Sequence, residues 1–271
     1  MDNVVDVPPS LLERARAFLA DPGEVAVARH SATVVLLRDS PGGVEVYLLR
    51  RAATMAFAAG MHVFPGGSVD SRDGEQETAW AGPGTADWAA SLRCDEPLAR
   101  ALVCAAVRET FEESGVLLAG SSPQDVVADT TGPGWERDRE ALLDRSLSMA
   151  GMLSSRGLAL RSDLLRAWAH WITPEFEPRR FDTRFFVAAL PTGQRARDVS
   201  GEADQAAWIP VADAIAAHGA GTMAMLPPTI DALRAVASHS DVDAVLAAPR
   251  ELRPLLPRLV DESGVLRLVV E

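Results

Sequence analysis

In the stretch Arg108-Glu109-Thr110-Phe111-Glu112-Glu113-Ser114-Gly115-Val116, three carboxylates stand at i, i+3 and i+4. On a helix that spacing puts Glu109, Glu112 and Glu113 on one face. Three like charges there repel one another, so helix stability alone would not select them. A hard divalent cation removes the conflict, because Mg²⁺ and Mn²⁺ take carboxylate oxygens as ligands. Arg108 lies one turn before Glu112 and can pair with a neighbouring acid. A solvated acidic face shows the same spacing, so a second feature is needed. Phe64-Pro65-Gly66-Gly67 supplies it, since two glycines after a proline let the backbone turn sharply and approach a ligand without a Cβ in the way. The chemistry such a pair suits is metal-assisted hydrolysis, in which a cation offsets charge and an acid–base group deprotonates water. Without metal the same acids would repel the substrate.

The elements that must position these residues are partly legible. Residues 31–39 and 44–51, rich in β-branched side chains and separated by Ser40-Pro41-Gly42-Gly43, predict a β-hairpin. Leu98, Ala101, Leu102, Ala105 and Ala106 recur at helical spacing, and the helix they predict runs from Pro97 to Gly115, a natural terminating glycine. Ser10 is expected to cap a first helix, LLERARAFLA. Residues 120–140 predict loop and 139–169 predict helix. RFFVAAL (184–190) predicts a strand, followed by short helices in VADAIAAHG, PTIDALRAVASH and DVDAVLAA. The tail 257–271 predicts a hairpin around Glu262-Ser263-Gly264. Strands mixed with separated helices indicate an α/β or α+β fold.

The chain has 271 residues, 48% hydrophobic and 24% charged, enough to bury a sizeable core and to exclude disorder for its bulk. A formal net charge of −12 argues against nucleic acid as a partner. No apolar run reaches the roughly 18 residues that span a bilayer, and the N-terminus lacks a signal-peptide pattern. Cys94 and Cys104 form no disulfide framework. A cytoplasmic protein that engages no membrane is the expectation.

FPGG and RETFEESG together resemble the Nudix hydrolases. Their signature runs from a glycine through five residues to an acid, seven more to Arg-Glu, then two residues, Glu-Glu, one residue and Gly. Gly67 is followed by five residues and Asp73, but 34 residues rather than seven separate Asp73 from Arg108. The box is therefore read as split by an insertion, residues 74–100, with a second, mainly loop and helical insertion at 120–170, in one elaborated domain spanning 1–271. The resemblance implies an α/β/α sandwich with a mixed β-sheet. It also implies Glu112 and Glu113 as metal ligands, Glu109 as ligand or general base, the Gly67 carbonyl as a further ligand, and Arg108 as the orienting partner. Members often place another acid in a later loop before a tryptophan. Glu202, ahead of Trp208, is either that catalytic acid or an ordinary polar residue.

Leu48-Leu49-Arg50-Arg51, Gly60-Met61-His62-Val63 and the acids Asp70 and Asp73 after FPGG resemble the coenzyme A diphosphatase branch. Trp171-Ile172-Thr173-Pro174 and Arg180–Phe186 resemble its longer, peroxisomal-type members, although the Val-Val-Glu ending supports no peroxisomal address. The partner implied is a small-molecule nucleoside diphosphate derivative, coenzyme A or acyl-coenzyme A, with Mg²⁺ or Mn²⁺ as cofactor. Arg50, Arg51, His62, Arg180 and Arg184 are the substrate-binding candidates, as cations beside apolar walls. The alternatives are hydrolysis of ADP-ribose, NADH or an oxidised dNTP, and a nucleotide-sensing binding module. Trp80 and Trp88, within the insertion, are read as a lid, a contact in a homodimer, or a small satellite core.

Overall fold

The computed structural model describes every residue except 1–2, 7–10, 54–57, 76–77, 200, 202 and 271. Strand β1 (Asn3–Asp6) and helix α1 (Leu12–Ala20) precede the hairpin of β2 (Arg29–Ser40) and β3 (Gly43–Arg51). Short strands β4 (His62–Val63) and β5 (Gly66–Ser68) flank Phe64-Pro65. The one-turn α2 (Arg72–Glu75), β6 (Trp80–Ala81) and α3 (Thr85–Leu92) lead to the long helix α4 (Glu96–Ser114). Next come β7 (Ala119–Gly120), α5 (Pro133–Leu143), α6 (Met149–Ser155), β8 (Ala159–Arg161), β9 (Arg166–Ile172), β10 (Phe181–Ala189) and β11 (Ala203–Pro210). The chain closes with α7 (Val211–Gly219), α8 (Pro227–Val236), α9 (Val242–Ala247), β12 (Pro254–Leu255), and the hairpin of β13 (Arg258–Glu262) and β14 (Val265–Val270).

The central sheet runs β11-β3-β2-β10-β9-β12, with β4 beside β3 and β5 beside β2. It is mixed: β10 pairs with β2 in parallel and with β9 antiparallel. Alternate residues feed two cores. Val34, Leu36, Tyr47, Leu49 and Phe186 meet α3, α4 and α6 on one face, whereas Val35, Leu37, Val46, Leu48 and Val187 meet α7, α8 and α9 on the other. This is the α/β/α sandwich that the resemblance implied. The terminal hairpin is present and pairs with β1.

Several boundaries differ from the sequence reading. The excursion that splits the box ends at Asp95, not at 100: Asp95 accepts the Leu98 N–H at 2.9 Å and caps α4, and Glu96 and Pro97 already form its first turn. In place of the loop expected over 120–140 and the helix over 139–169, α5 already runs from Pro133 to Leu143, and a separate α6 ends at Ser155. β9 follows in the alanine-rich RAWAHWI, because a slot between β10 and β12 is stabilised by pairing on both sides, and tertiary pairing outweighs alanine's helix propensity. The segment after Glu202 is a strand, β11, rather than a loop. Ser10, the expected cap of α1, lies outside the described residues.

The segments expected as two insertions are also joined. β8, from the second, pairs in parallel with β6, from the first, and antiparallel with β7 directly after α4. Ser162 Oγ adds hydrogen bonds of 3.0 Å to the carbonyls of Ala81 and Pro83. With the central sheet on one side and these insertions on the other, α4 is buried nearly all round, which explains its weak amphipathicity. Trp88 is neither lid nor satellite: it packs edge-on against Phe186, with centroids 5.7 Å apart, inside the main core.

Candidate active site

Asp73, Arg108, Glu112 and Glu113 are respectively 3%, 7%, 5% and 8% exposed, a dense charge group for so dry a place. Arg108 is its hub. Nε and Nη2 donate to the two carboxylate oxygens of Asp73 at 3.0 Å each, and Nη2 also donates to the Ser68 carbonyl at 3.0 Å. Nη1 donates to Glu109 Oε1 at 2.8 Å and Glu112 Oε2 at 3.0 Å. These five bonds use all five guanidinium donors. Arg108 thus fastens the strand after FPGG, the turn of α2 and the acidic face of α4 together. Asp73 is itself held, accepting the Asp70 N–H at 2.8 Å. Asp70 in turn is held well below the usual carboxylate range, chiefly by its hydrogen bonds with Arg72.

The paired glycines bring the backbone close to two neighbouring elements. A Cβ on Gly67 would lie 2.5 Å from Glu109 Oε1, and one on Gly66 would lie 2.6 Å from the Ala32 carbonyl. Only glycine lets β5 sit so close to both α4 and β2. Gly66 N–H donates to Glu113 Oε2 at 2.9 Å. Gly67, Glu109, Glu112 and Glu113 therefore come together as one constellation.

Its electrostatics are unbalanced. Three carboxylates, Asp73, Glu109 and Glu112, face one guanidinium, and a fourth, Glu113, lies beside them on α4. Burial, aided by the charges of Glu109 and Asp73, pushes Glu112 up to about 7 despite the opposing charge of Arg108. Arg108 stays firmly protonated, because its acidic neighbours outweigh the effect of burial. Among the described residues no three His, Cys, Asp or Glu side chains converge on one point as a ready chelating cluster. Glu109 and Glu112 face Arg108, while Glu113 faces the Gly66 amide. The donor set nonetheless fits a hard divalent cation: all its side-chain atoms are carboxylate oxygens, and the excess buried negative charge calls for a positive one.

The other expected site residues are dispersed. Cross-strand pairing of Arg50 with His62 places both on the sheet face away from α4, where the His62 N–H bonds the Ala224 carbonyl at 2.8 Å. Burial pushes the His62 imidazole down, and its Nδ1 has no partner among the described residues. Arg51, one residue on, lies on the α4 face. Arg180 donates to the carbonyls of Thr173 (3.0 Å) and Ala26 (2.9 Å), tying loops together. Arg184 is buried and paired with Asp182, which also meets His170 Nε2 at 2.6 Å and His30 Nδ1 at 3.5 Å. Glu202 lies outside the described residues. Trp80, Trp135, Trp168 and Trp208 each carry an arginine over the ring, at 5.7, 3.6, 3.7 and 4.4 Å from the centroid. A guanidinium so placed stands over one face of each ring. Sequence reasoning missed Arg139, whose Nη1 donates to the Glu112 carbonyl at 3.0 Å. No spacing rule flags a side chain that seeks a backbone atom.

The sandwich, the split box and the acidic face of α4 define a Nudix hydrolase. More narrowly, the chain belongs to the family of the NUDT19 Nudix domain, whose profile matches residues 94–236. The crystal structure of a Nudix hydrolase from Alicyclobacillus acidocaldarius is similar to it at 28% identity and TM-score 0.70, covering 84% of this chain and 99% of that one. The acyl-coenzyme A diphosphatases NUDT19 of Xenopus laevis and Homo sapiens are each 27% identical to it, over 68% and 55% of this chain. The chain spans 57% and 48% of their respective lengths. No helix among the described residues is long and apolar enough to cross a membrane.

Proposed function

We propose that this chain hydrolyses the pyrophosphate bond of coenzyme A or an acyl-coenzyme A, in a reaction dependent on Mg²⁺ or Mn²⁺, giving 3′,5′-ADP and (acyl-)phosphopantetheine. The observation that carries the hydrolytic part is the set Asp73, Glu109 and Glu112 around Arg108, with Glu113 beside them on the Gly66 amide. Glu109, Glu112 and Glu113, with the Gly67 carbonyl, would hold the metal. When bound, it supplies Lewis-acid charge neutralisation at the phosphoanhydride. Arg108 orients Glu109 and Glu112 by sharing Nη1 between them. Glu109, against the glycine strand, is either a ligand or the group that takes the proton of the attacking water. The absence of a Cβ at Gly66 and Gly67 keeps the strand close to the acids.

The coenzyme A part rests on likeness to relatives described as acyl-coenzyme A diphosphatases and on the sequence features shared with that branch. Arg51, on the face that carries α4, is the basic group we place nearest the substrate; Arg50, His62 and Arg180 are second choices. A sensing module is disfavoured, since such modules dispense with metal ligands and all the acids of this box are intact. The test compares kcat/KM for coenzyme A, dephospho-coenzyme A and ADP-ribose. A clear preference for coenzyme A over its dephospho form supports a site that reads the 3′-phosphate. A preference for ADP-ribose or a dNTP overturns the coenzyme A reading and leaves the Nudix assignment standing.

A further inference from the structure

The carboxyl end of α4, which carries Glu112 and Glu113, is held by groups outside the Nudix box. The last four carbonyls of a helix lack intrahelical partners beyond its end. Here the Phe111 carbonyl accepts Gly115 N–H at 2.9 Å, with Gly115 at φ +72°, and the Ser114 carbonyl accepts Arg197 N–H at 2.9 Å. The Glu112 carbonyl accepts from Arg139 Nη1 of α5 at 3.0 Å. Arg139 is 6% exposed, and its Nε meets Glu136 Oε1 at 3.0 Å. The other oxygen of Glu136 lies 3.5 Å from Arg197 Nη1, and Arg197 Nη2 donates to the Thr130 carbonyl at 3.3 Å. Thr130 Oγ1 donates to the Gly115 carbonyl at 2.6 Å. Two guanidiniums bridged by one carboxylate therefore sit at the negative end of the helix dipole.

Burying a guanidinium costs desolvation that an apolar side chain in the α4–α5 contact would not incur. What Arg139 adds is a directed, charge-assisted bond to the backbone of a residue whose side chain lies in the acidic constellation. We propose that Arg139 is a positioning residue for hydrolysis: it fixes the last turn of α4 and so the aim of Glu112 and Glu113. The inference rests on the reading of those carboxylates as holders of a divalent cation. Arg139 acts through the Glu112 backbone and touches no reacting atom. Glu136 holds Arg139 in place and links it to Arg197.

The experiment measures Mn²⁺ binding by electron paramagnetic resonance, together with kcat, for wild type, Arg139→Met, Arg139→Lys and Glu136→Gln. Val236→Ala, in the core on the opposite face of the sheet, serves as a control for simple destabilisation. Outer groups that orient metal ligands typically contribute about 10- to 100-fold in affinity or activity. Arg139→Met is expected to weaken Mn²⁺ binding at least about 10-fold and to lower kcat with little change in KM. Arg139→Lys should restore part of both, and Val236→Ala should change neither while lowering the melting temperature. If Arg139→Met does not fold, Arg139→Lys and Glu136→Gln should still show weakened binding, and wild-type affinity in both would overturn the proposal. Wild-type affinity and kcat in a folded Arg139→Met would overturn it alone. A wild-type chain that binds no Mn²⁺ would overturn the metal reading beneath it as well.

Discussion

Asp73 and Arg108, 35 positions apart, meet through two parallel N–H···O bonds of 3.0 Å each in a site almost closed to water. This contact spans the excursion that splits the Nudix box. It keeps α2 on α4 whatever the length of chain between them, because the entropy of closing a loop grows only slowly with its length. The box is interrupted in sequence and continuous in space.

Breaking that contact should be costly. Asp73→Ala leaves two of Arg108's donors without an acceptor, and an unmatched buried donor costs roughly 1–3 kcal/mol. The expected loss of stability is in that range, read from urea unfolding followed by tryptophan fluorescence. Unchanged stability would mean that other contacts alone hold α2 on α4.

Glu112→Gln separates stability from activity. It removes a charge from a crowded acidic site while keeping the shape of the side chain. Activity should fall at least about 100-fold in a folded protein. The pH dependence has a definite sign. With Glu112 raised to about 7 in the folded chain, the native state holds a proton that the unfolded chain releases near 4.5, so metal-free stability falls as pH rises between those values. In EDTA, melting temperatures from pH 5 to 8 should decline less for Glu112→Gln than for wild type. Identical slopes would contradict this.

Gly67→Ala tests the close approach of β5. The added Cβ would stand 2.5 Å from Glu109 Oε1, so either the carboxylate or the strand must move. The chain should fold with reduced stability and with activity lowered by at least about 10-fold, since a displacement of about 1 Å at a site can cost 100-fold. Wild-type turnover would show that Glu109 has freedom to shift.

Asp182 ties together Arg184, His170 and His30. Burial alone would raise its carboxyl, but the His170 hydrogen bond and the charges of Arg184, His170 and His30 hold it below its usual range. A depressed carboxylate contributes stability above its unfolded value of about 3.9 and loses that contribution as pH falls through the folded value. Asp182→Asn should therefore destabilise the chain at pH 7, with the gap to wild type narrowing below about pH 4. A gap that stays constant from pH 7 to pH 3 would rule out this ion cluster as the cause.

Legibility from sequence followed the range of the interaction. The carboxylates of α4 and the glycines before them were readable because helical spacing and glycine's lack of a Cβ are local properties. The β2–β3 hairpin was readable for the same reason. The start of β9 falls within the helix expected over 139–169, because its pairing with β10 and β12 is long-range. The pairing of β6 with β8 depends on residues 80 positions apart. Arg180 and Arg184 are conspicuous as cations, but their acceptors, a backbone carbonyl of residue 26 and a half-buried aspartate, become visible only in three dimensions.

The most direct test of metal-dependent hydrolysis at this constellation is product analysis by mass spectrometry. Wild type and Glu112→Gln would each be incubated with coenzyme A, with Mg²⁺ or Mn²⁺ and with EDTA. Cleavage to 3′,5′-ADP and phosphopantetheine by wild type alone, and only with the divalent ion, is the result predicted. Equal product in EDTA, or from Glu112→Gln, would contradict it.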